Sequence, residues 1–125
     1  MSDFKKLRVW QKAHEITLTV YRETQSFPPA ELYGLVSQMR RCCVSIGSNI
    51  AEGCGRSGEV EKARFMQIAL GSLSELEYQI IVSGDLGYLS AETCTKLSRA
   101  IQELGKMLGS LAKTIKAAAA SASSQ

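Results

Sequence analysis

The stretch from Glu31 to Arg56 constrains the fold more than any other part of the chain. At about 100° per residue, its large apolar side chains fall on one stripe of a helix, and further apolar or small residues widen the arc to more than half the circumference. The stripe consists of Leu32, Leu35, Met39, Cys42, Ile46 and Ile50, and it is widened by Tyr33, Val36, Cys43, Val44, Gly47 and Ala51. A helix with one wet side has a narrower apolar arc, so this pattern predicts a helix that is buried on two sides.

Four helical segments follow from the periodicity and the stop signals. The first begins near Lys6 and ends near Ser26, because Phe27-Pro28-Pro29 cannot continue a helix. The second is expected from about Ala30 to Glu52, and the third and fourth begin after the N-cap candidates Ser57 and Ser90. The stripes of the other three helices are Val9, Ala13, Ile16 and Val20; Phe65, Ala69, Leu73, Leu76 and Ile80; and Cys94, Leu97, Ile101, Leu104, Leu108, Leu111 and Ile115. With short connections and no strand alternation, the prediction is an all-α, antiparallel up-down-up-down four-helix bundle.

The amount of apolar surface differs between the helices. The fourth helix has one regular stripe, whereas the first three carry more apolar surface than one bundle core requires. This surplus predicts self-association. Gly71, in the middle of the third helix, is expected to allow a neighbouring helix to approach closely, with a tolerated local weakness as the alternative.

Length and composition limit the domain organisation. The 125 residues are enough for one domain with a core of its own. We expect a flexible N-terminus over 1–5, the bundle over 6–115, and a disordered Ala/Ser-rich tail over 116–125. The start of the sequence has no apolar run of a secretory signal, and no segment has the ~18 apolar residues of a membrane span. A cytoplasmic protein with no membrane contact is therefore predicted.

The pattern for metal or catalytic chemistry is missing from the sequence. The four cysteines show no C-x-x-C spacing, and no Glu-x-x-His motif accompanies His14, the single histidine. We therefore predict no metal, no cofactor and no catalytic residue, and a protein that is not an enzyme. His14 is expected to be a partly buried packing residue, and Trp10 a core residue rather than a stacking platform.

Several motifs, in order, resemble those of a known family. They are VWQKAHE at 9–15, LYGLVSQMRRCCVSIGSNIAEGCGR, ARFMQIALGSLSELE and DLGYLS. Together they resemble the four-helix-bundle proteins encoded by intervening sequences of bacterial 23S rRNA genes, a family that includes accessory proteins of diversity-generating retroelements. The resemblance extends to about Ile115. It implies a homopentamer without enzymatic activity, with an RNA-linked role and with RNA, DNA, a reverse transcriptase or another protein as possible partners.

The motif positions that the resemblance carries over are Arg40, Arg41, Ser45, Asn49, Glu52, Gly53, Arg56 and Arg64. The chain departs from the family pattern at Cys42 and Cys43, which stand where small alanines are common, and at Gly47, which stands where proline is common. These departures bear on thiol chemistry and on the straightness of the second helix.

Two functional hypotheses follow. In the first, an RNA- or DNA-associated oligomer presents phosphate contacts from Arg40, Arg41, Arg56, Lys62 and Arg64. The net charge of one chain is only +3, but five copies would carry about +15 and repeat each weak site. Alternatively, these cations form salt bridges at subunit borders with Glu52, Glu59, Glu61 or Glu75. In the second hypothesis the oligomer is a structural or adaptor protein whose partner is another protein, with Tyr33, Tyr78 and Arg41 as contact anchors.

Overall fold

The computed structural model describes residues 3–123, and these residues form four α-helices joined by short connections. The helices are α1 (Arg8–Thr24), α2 (Ser37–Cys54), α3 (Glu59–Asp85) and α4 (Ala91–Ser123). No strand occurs within the described part of the chain, which confirms the predicted all-α class. Along the sides of the bundle, α2 packs against α1 and α3, and α4 packs against α3 and, less extensively, against α1. This order of neighbours is consistent with an up-down-up-down arrangement.

The core is built from the predicted stripes of all four helices. Its most deeply buried large side chains are Val20, Met39, Ile46, Ile50, Met66, Leu76, Ile80, Leu104 and Leu108. Burial of each such side chain contributes roughly 1.5–3 kcal/mol relative to exposure. The stripe of α4 is buried as far as Leu108, whereas Leu111 and Ile115 near its end are half-buried against the core.

The connection between α1 and α2 differs from the prediction. Instead of a regular helix from Ala30, the chain forms a 3₁₀ turn over Pro29–Glu31 and a wide π-type turn over Leu32–Val36, in which Gly34 has the non-helical angles φ −111° and ψ −109°. The Glu31 carboxylate supports this geometry, since it accepts hydrogen bonds from the Leu35 backbone N–H (3.4 Å) and the Tyr88 hydroxyl (3.0 Å). The regular part of α2 therefore begins only at Ser37 and continues to Cys54.

Within the described residues, regular secondary structure extends further towards both chain ends than the sequence indicated. Near the N-terminus, the Asp3 side chain accepts a hydrogen bond from the Lys5 N–H (3.0 Å), and the Phe4 ring packs edge-on against Trp10 with centroids 5.2 Å apart. The tail predicted to be disordered from residue 116 is helical as far as Ser123. Alanine has the highest helix propensity, so the run 117–120 extends α4 without burying a large side chain. Residues 1–2 and 124–125 lie outside the described part of the chain.

One of the two predicted N-caps is confirmed. The Ser90 hydroxyl accepts a hydrogen bond from the Thr93 N–H (3.1 Å) at the start of α4. The prediction for Ser57 is wrong, because Gly58 occupies the cap position of α3 and contributes no side-chain hydrogen bond.

The predicted close helix approach at Gly71 does not occur within the described chain. A Cβ atom built at Gly71 would have no neighbour within 4 Å. The close approaches lie elsewhere: a Cβ at Gly53 would be 2.8 Å from Cε of Met66, and one at Gly84 would be 2.7 Å from Sγ of Cys94. Gly53 therefore brings α2 onto α3, and Gly84 brings α3 onto α4.

The aromatic residues of α1 pack on its α2 side. Trp10 is half-buried, and its indole Nε1 lies 3.6 Å from the position of a Cβ at Gly47. His14 is exposed rather than partly buried, and its ring stacks on Trp10 with centroids 4.8 Å apart and an interplanar angle of 10°. Gly47 thus gives room to Trp10, and α2 stays α-helical through this position.

Candidate nucleic-acid interface

Arg40, the first of the predicted phosphate-binding residues, lies on α2 and donates hydrogen bonds to the end of α1. Its Nε donates to the Thr24 hydroxyl (3.0 Å), and one terminal nitrogen donates to the Tyr21 carbonyl oxygen (3.3 Å). The guanidinium also lies 4.8 Å from the centroid of the Tyr21 ring. Because the last carbonyls of a helix have no partner within the helix, a cation at this place stabilises the terminus of α1. The structure thus assigns Arg40 to packing rather than to an open binding surface.

Three further predicted cations lie at the corner between α2 and α3, and each is paired with an acid three or four residues earlier in the sequence. Arg56 pairs with Glu52 (2.7 Å), Lys62 with Glu59 (3.3 Å) and Arg64 with Glu61 (3.6 Å). These ion pairs lie within one chain and use three of the acids, Glu52, Glu59 and Glu61, that the alternative hypothesis named for subunit borders. Exposed pairs of this kind contribute about 0–1 kcal/mol each. The corner therefore has almost no net charge.

Arg41 differs from the other four predicted cations. It is exposed on the outer side of α2, and no hydrogen bond or ion pair engages it within residues 3–123. It lies three residues before Val44, whose side chain is 47% exposed. Of the five predicted cations, Arg41 alone has no partner in the described structure.

The remaining motif residues form a polar seam between α2 and α3. The Asn49 amide donates to the carbonyl (2.7 Å) and hydroxyl (3.1 Å) oxygens of Ser45, and the Ser45 hydroxyl pairs with that of Ser72 (3.0 Å). The Cys42 thiol donates to the Ser72 carbonyl oxygen (2.8 Å). Sequence reasoning missed Ser72, although the small residues of the ALGSLSELE motif were a signal for a close contact. These motif positions hold two helices together and leave few polar atoms free for a ligand.

The cysteines of α2 are poor nucleophiles. Burial, with a smaller contribution from the Glu75 charge, raises the pKa of Cys42 to about 11, and burial raises the pKa of Cys43 to about 12. Burial also raises the pKa of Cys54. Across residues 3–123, no group of three or more His, Cys, Asp or Glu side chains is placed to hold a metal ion. None of the described helices has the length and apolar character needed to cross a membrane.

A second cationic cluster, which sequence reasoning did not single out, lies where the start of α1 meets the second half of α4. We define this basic end as Lys5, Lys6, Arg8, Lys12, Lys106, Lys113 and Lys116. The segments that contain these cations, residues 3–14 and 103–123, include two acids: Asp3, which caps the N-terminal turn, and Glu103, which pairs with Lys12 at 2.9 Å. The hydrogen bond and charge of Lys12, together with Arg8, lower the pKa of Glu103. Seven cations and two acids leave an excess of five positive charges, more than the net +3 of the whole chain, so the remaining surface is net negative.

The two halves of the basic end line one open groove of about 600 Å³. Leu7 and Arg8 lie on one side of it, and Lys106, Met107 and Leu111 on the other. A signal for this cluster was present in the sequence, because no acid occurs after Glu103 and none between Phe4 and His14. The antiparallel packing of the first and last helices, which brings these two segments together, was needed to see it.

Large exposed apolar side chains are absent from α4, the helix that contributes three lysines to the basic end. The large ones are Leu18, Tyr21, Leu32, Tyr33, Val44, Val60, Ile68, Tyr78, Ile81 and Leu86, and none of them belongs to α4. On α3, Val60 is 69% exposed and Tyr78 66% exposed. The prediction that the first three helices carry surplus apolar surface is confirmed for the single chain.

The fold and site define a class: a four-helix bundle with a basic end and apolar outer faces. Comparison with known sequences gives the family. The profile of the 23S rRNA-intervening sequence protein family matches residues 5–110, and the chain therefore belongs to this family. None of the curated proteins matches the chain at a significant level.

A solved structure with the same fold is the crystal structure of a protein of unknown function from the S23 ribosomal protein family of Bacteroides thetaiotaomicron. It superposes with a TM-score of 0.76 at 23% sequence identity, covering 84% of this chain and 98% of the other. At this identity the similarity establishes the fold alone.

Proposed function

We propose that this protein is a non-enzymatic oligomer, a homopentamer by its family resemblance, that associates with RNA through basic residues repeated around the assembly. The single observation that carries the proposal is the separation of two surfaces on one small bundle. Large exposed apolar side chains occur on α1, α2, α3 and their connections, whereas an excess of positive charge lies at the basic end. One surface is suited to other copies, and the other to a polyanion.

Self-association is supported by the kind and the position of the exposed residues. Four large apolar side chains are exposed on α3 alone, and exposed apolar patches on soluble proteins mark interaction sites. On α3, Val60 and Tyr78 share the centre of the outer face, with Ile68 and Ile81 on its two flanks, as the helical period places them. Gly71 lies between them, with nothing within 4 Å of its missing side chain. We infer that a neighbouring subunit covers this face, so that Gly71 allows the close approach between subunits that it does not make within one.

Association with RNA is supported by charge and by multiplicity. One copy with a net charge of +3 would hold a polyanion weakly at physiological salt, but repeated copies convert weak sites into avidity. The described residues offer no strand platform for reading bases, so contacts to the phosphate backbone are expected to dominate. The family, 23S rRNA-intervening sequence proteins, is linked by its name to a ribosomal RNA gene.

One observation favours a second candidate, an adaptor oligomer whose partner is another protein. Tyr33 is 93% exposed on the wide turn before α2, beside Leu32, which is 48% exposed. Tyrosine is frequent among residues that dominate protein interfaces. A turn that presents two such side chains to solvent would suit a protein partner.

Retention of RNA as a function of salt, combined with light scattering, separates the two candidates. If phosphate contacts dominate, log K falls steeply and linearly with log[salt], whereas a protein–protein contact responds less. We expect retention of a 20-nucleotide RNA at ~50 mM salt and a steep loss towards ~200 mM salt, from an assembly of several chains. No retention at ~50 mM salt would favour the adaptor instead. A solution mass of one chain, 13.6 kDa, would remove the contribution of avidity.

A further inference from the structure

We infer that the RNA-binding surface is the basic end on α1 and α4, not the arginine-rich corner of α2 and α3 that the sequence motifs single out. This inference rests on the proposed function and names its contact site. The expected ligand is the sugar–phosphate backbone of an RNA strand, bound without preference for base sequence.

The two cationic regions differ in how much of their charge is available. At the α2–α3 corner, Arg56, Lys62 and Arg64 already face carboxylates 2.7–3.6 Å away. At the basic end, the pair between Lys12 and Glu103 is the exception, and within residues 3–123 no ion pair engages the other six cations. A phosphate that approaches the corner must compete with an acid for each cation. One that approaches the basic end meets six cations that form no ion pair within residues 3–123.

The spacing of the cations along α4 suits a phosphate backbone. Lys106 and Lys113 are seven residues apart and lie on the same outer side of the helix, about 10 Å from each other along its axis. Both are exposed, and Ser110 between them is exposed and small. Two long, flexible cations at this spacing can reach phosphates of the same backbone, and the small residue between them allows the strand to lie close.

Other partners of a basic surface fit this end of the bundle less well. The outer side of α4 has no exposed large apolar side chain, so it lacks the apolar face with which amphipathic helices enter a lipid surface. Of the apolar side chains that line the groove, Val9 is buried, and Leu7, Met107 and Leu111 are half-buried. No aromatic residue lines this groove, which removes base stacking as a source of sequence preference. What remains is a charged surface matched to a flexible, hydrated polyanion.

The test compares two double variants that change the net charge equally in two different cationic regions of the protein. Lys106→Glu/Lys113→Glu alters the basic end, and the matched control Arg41→Glu/Arg56→Glu alters α2 and the α2–α3 corner. Binding of a 20-nucleotide RNA of mixed sequence is measured by fluorescence anisotropy across a salt series. Circular dichroism and light scattering verify that each variant retains its helices and its assembly.

We expect the basic-end variant to lose at least about tenfold in affinity at ~100 mM salt, and the control to stay within about threefold of the wild type. The milder variant Lys106→Gln/Lys113→Gln should flatten the slope of log K against log[salt] by about 0.7 for each lost phosphate contact of a single strand. It also provides a measurement if the charge reversal disturbs folding.

Three other results are informative. If the wild type binds and only the α2–α3 control loses affinity, the basic end is the wrong surface, although the proposed function stands. If anionic phospholipid vesicles are bound more tightly than the RNA, and that binding is lost in the basic-end variant, the surface is a membrane site and the inference fails. If the wild type does not bind RNA at ~50 mM salt, the failure lies in the proposed function itself.

Discussion

The outer faces of α3 and α4 differ although both helices bury a regular apolar stripe. On α3 the outward side chains include Val60 and Tyr78, which are 69% and 66% exposed. On α4 they include Gln102, Lys106 and Ser110, and no large apolar residue is exposed. The inner stripes explain the fold of one chain, but the outer faces indicate what each helix meets next. α3 is suited to a dry contact, and α4 to water and charge.

The largest effect is expected from placing charge on the outer face of α3. Tyr78→Glu/Ile81→Glu should prevent association of the chains, because burying an unpaired carboxylate costs several kcal/mol. In light scattering, the mass should fall towards the 13.6 kDa of one chain. The matched control, Gln102→Glu/Ser110→Glu on α4, should leave the mass of the assembly unchanged. Equal masses for both variants would show that α3 is not the interface.

A second comparison concerns the effect on stability of alanine at an inner glycine, Gly53, and at an outer glycine, Gly71. Both substitutions are made in the dissociated variant Tyr78→Glu/Ile81→Glu. Gly53→Ala should lower the free energy of unfolding by about 1–3 kcal/mol, because it overpacks a close helix contact. The added methyl group would lie 2.8 Å from Cε of Met66 and 3.1 Å from Cβ of Phe65. Gly71→Ala should raise the free energy of unfolding by about 0.5–1 kcal/mol, because alanine favours a helix. Nothing within the chain lies in the way of that methyl group.

Urea denaturation measures both glycine variants. Stabilisation by Gly53→Ala would show that α2 and α3 adjust easily at their contact. Destabilisation by Gly71→Ala in the dissociated chain would show that the outer face of α3 is less open than its exposure indicates.

Periodicity was sufficient to predict the four helices and their buried sides. Leu76 and Leu104, for example, lie in the core as their stripes indicated. The irregular start of α2 could not be predicted, because it depends on Glu31 reaching Tyr88 in the α3–α4 connection, far away in sequence. The helical tail was missed for another reason: its lack of large apolar residues indicated disorder, whereas the alanine run has the propensity to continue α4.

The candidate site was harder to predict than the fold. The family motif singled out Arg56 and Arg64. The acids that neutralise them lie only four and three residues earlier in the sequence, and this spacing alone could have indicated the pairing. The basic end could not be assembled from spacing, because Arg8 and Lys106 meet only after the bundle closes. Sequence motifs therefore pointed to arginines that local acids neutralise, whereas the basic end depends on contacts between the first and last helices.

The third comparison has a smaller expected effect and concerns the contributions of two neighbouring arginines of α2 to stability. Arg40→Ala should destabilise the folded chain by about 1 kcal/mol, because it removes hydrogen bonds and a cation–π contact. The lost partners are the Thr24 hydroxyl and the carbonyl oxygen and ring of Tyr21. Arg41→Ala should change stability by at most about 0.5 kcal/mol, as is usual for exposed side chains away from specific contacts. Arg41 has no partner in the described part of the chain.

Denaturant midpoints of the two arginine variants, measured on the same dissociated background, check this difference. Similar values would mean that Arg40 contributes little to holding α2 on α1.

The smallest effect is expected for the pH dependence of stability, through the two buried thiols of α2. With pKa values of about 11 and 12 against an ordinary 9.0, Cys42 and Cys43 stay protonated in the folded chain while the unfolded chain ionises. The folded state therefore binds more protons above pH 9, and stability should fall as the pH rises from 9 towards 11–12. Below pH 9 both states are protonated at these thiols and no contribution is expected. The double variant Cys42→Ala/Cys43→Ala should show a shallower decline in urea midpoints over this window.

The reactivity of the same two thiols tests whether the core of one chain stays closed when the chains do not associate. At pH 8, a thiol reagent should modify Cys42 and Cys43 only when the chain unfolds, because burial blocks access and keeps the thiolate fraction low. This protection should persist in Tyr78→Glu/Ile81→Glu, since the two cysteines are covered by α1 and α3 of their own subunit and not by a neighbour. Rapid modification in that variant would instead show that the core of one chain depends on assembly, and that the outer face of α3 contributes to the fold as well as to association.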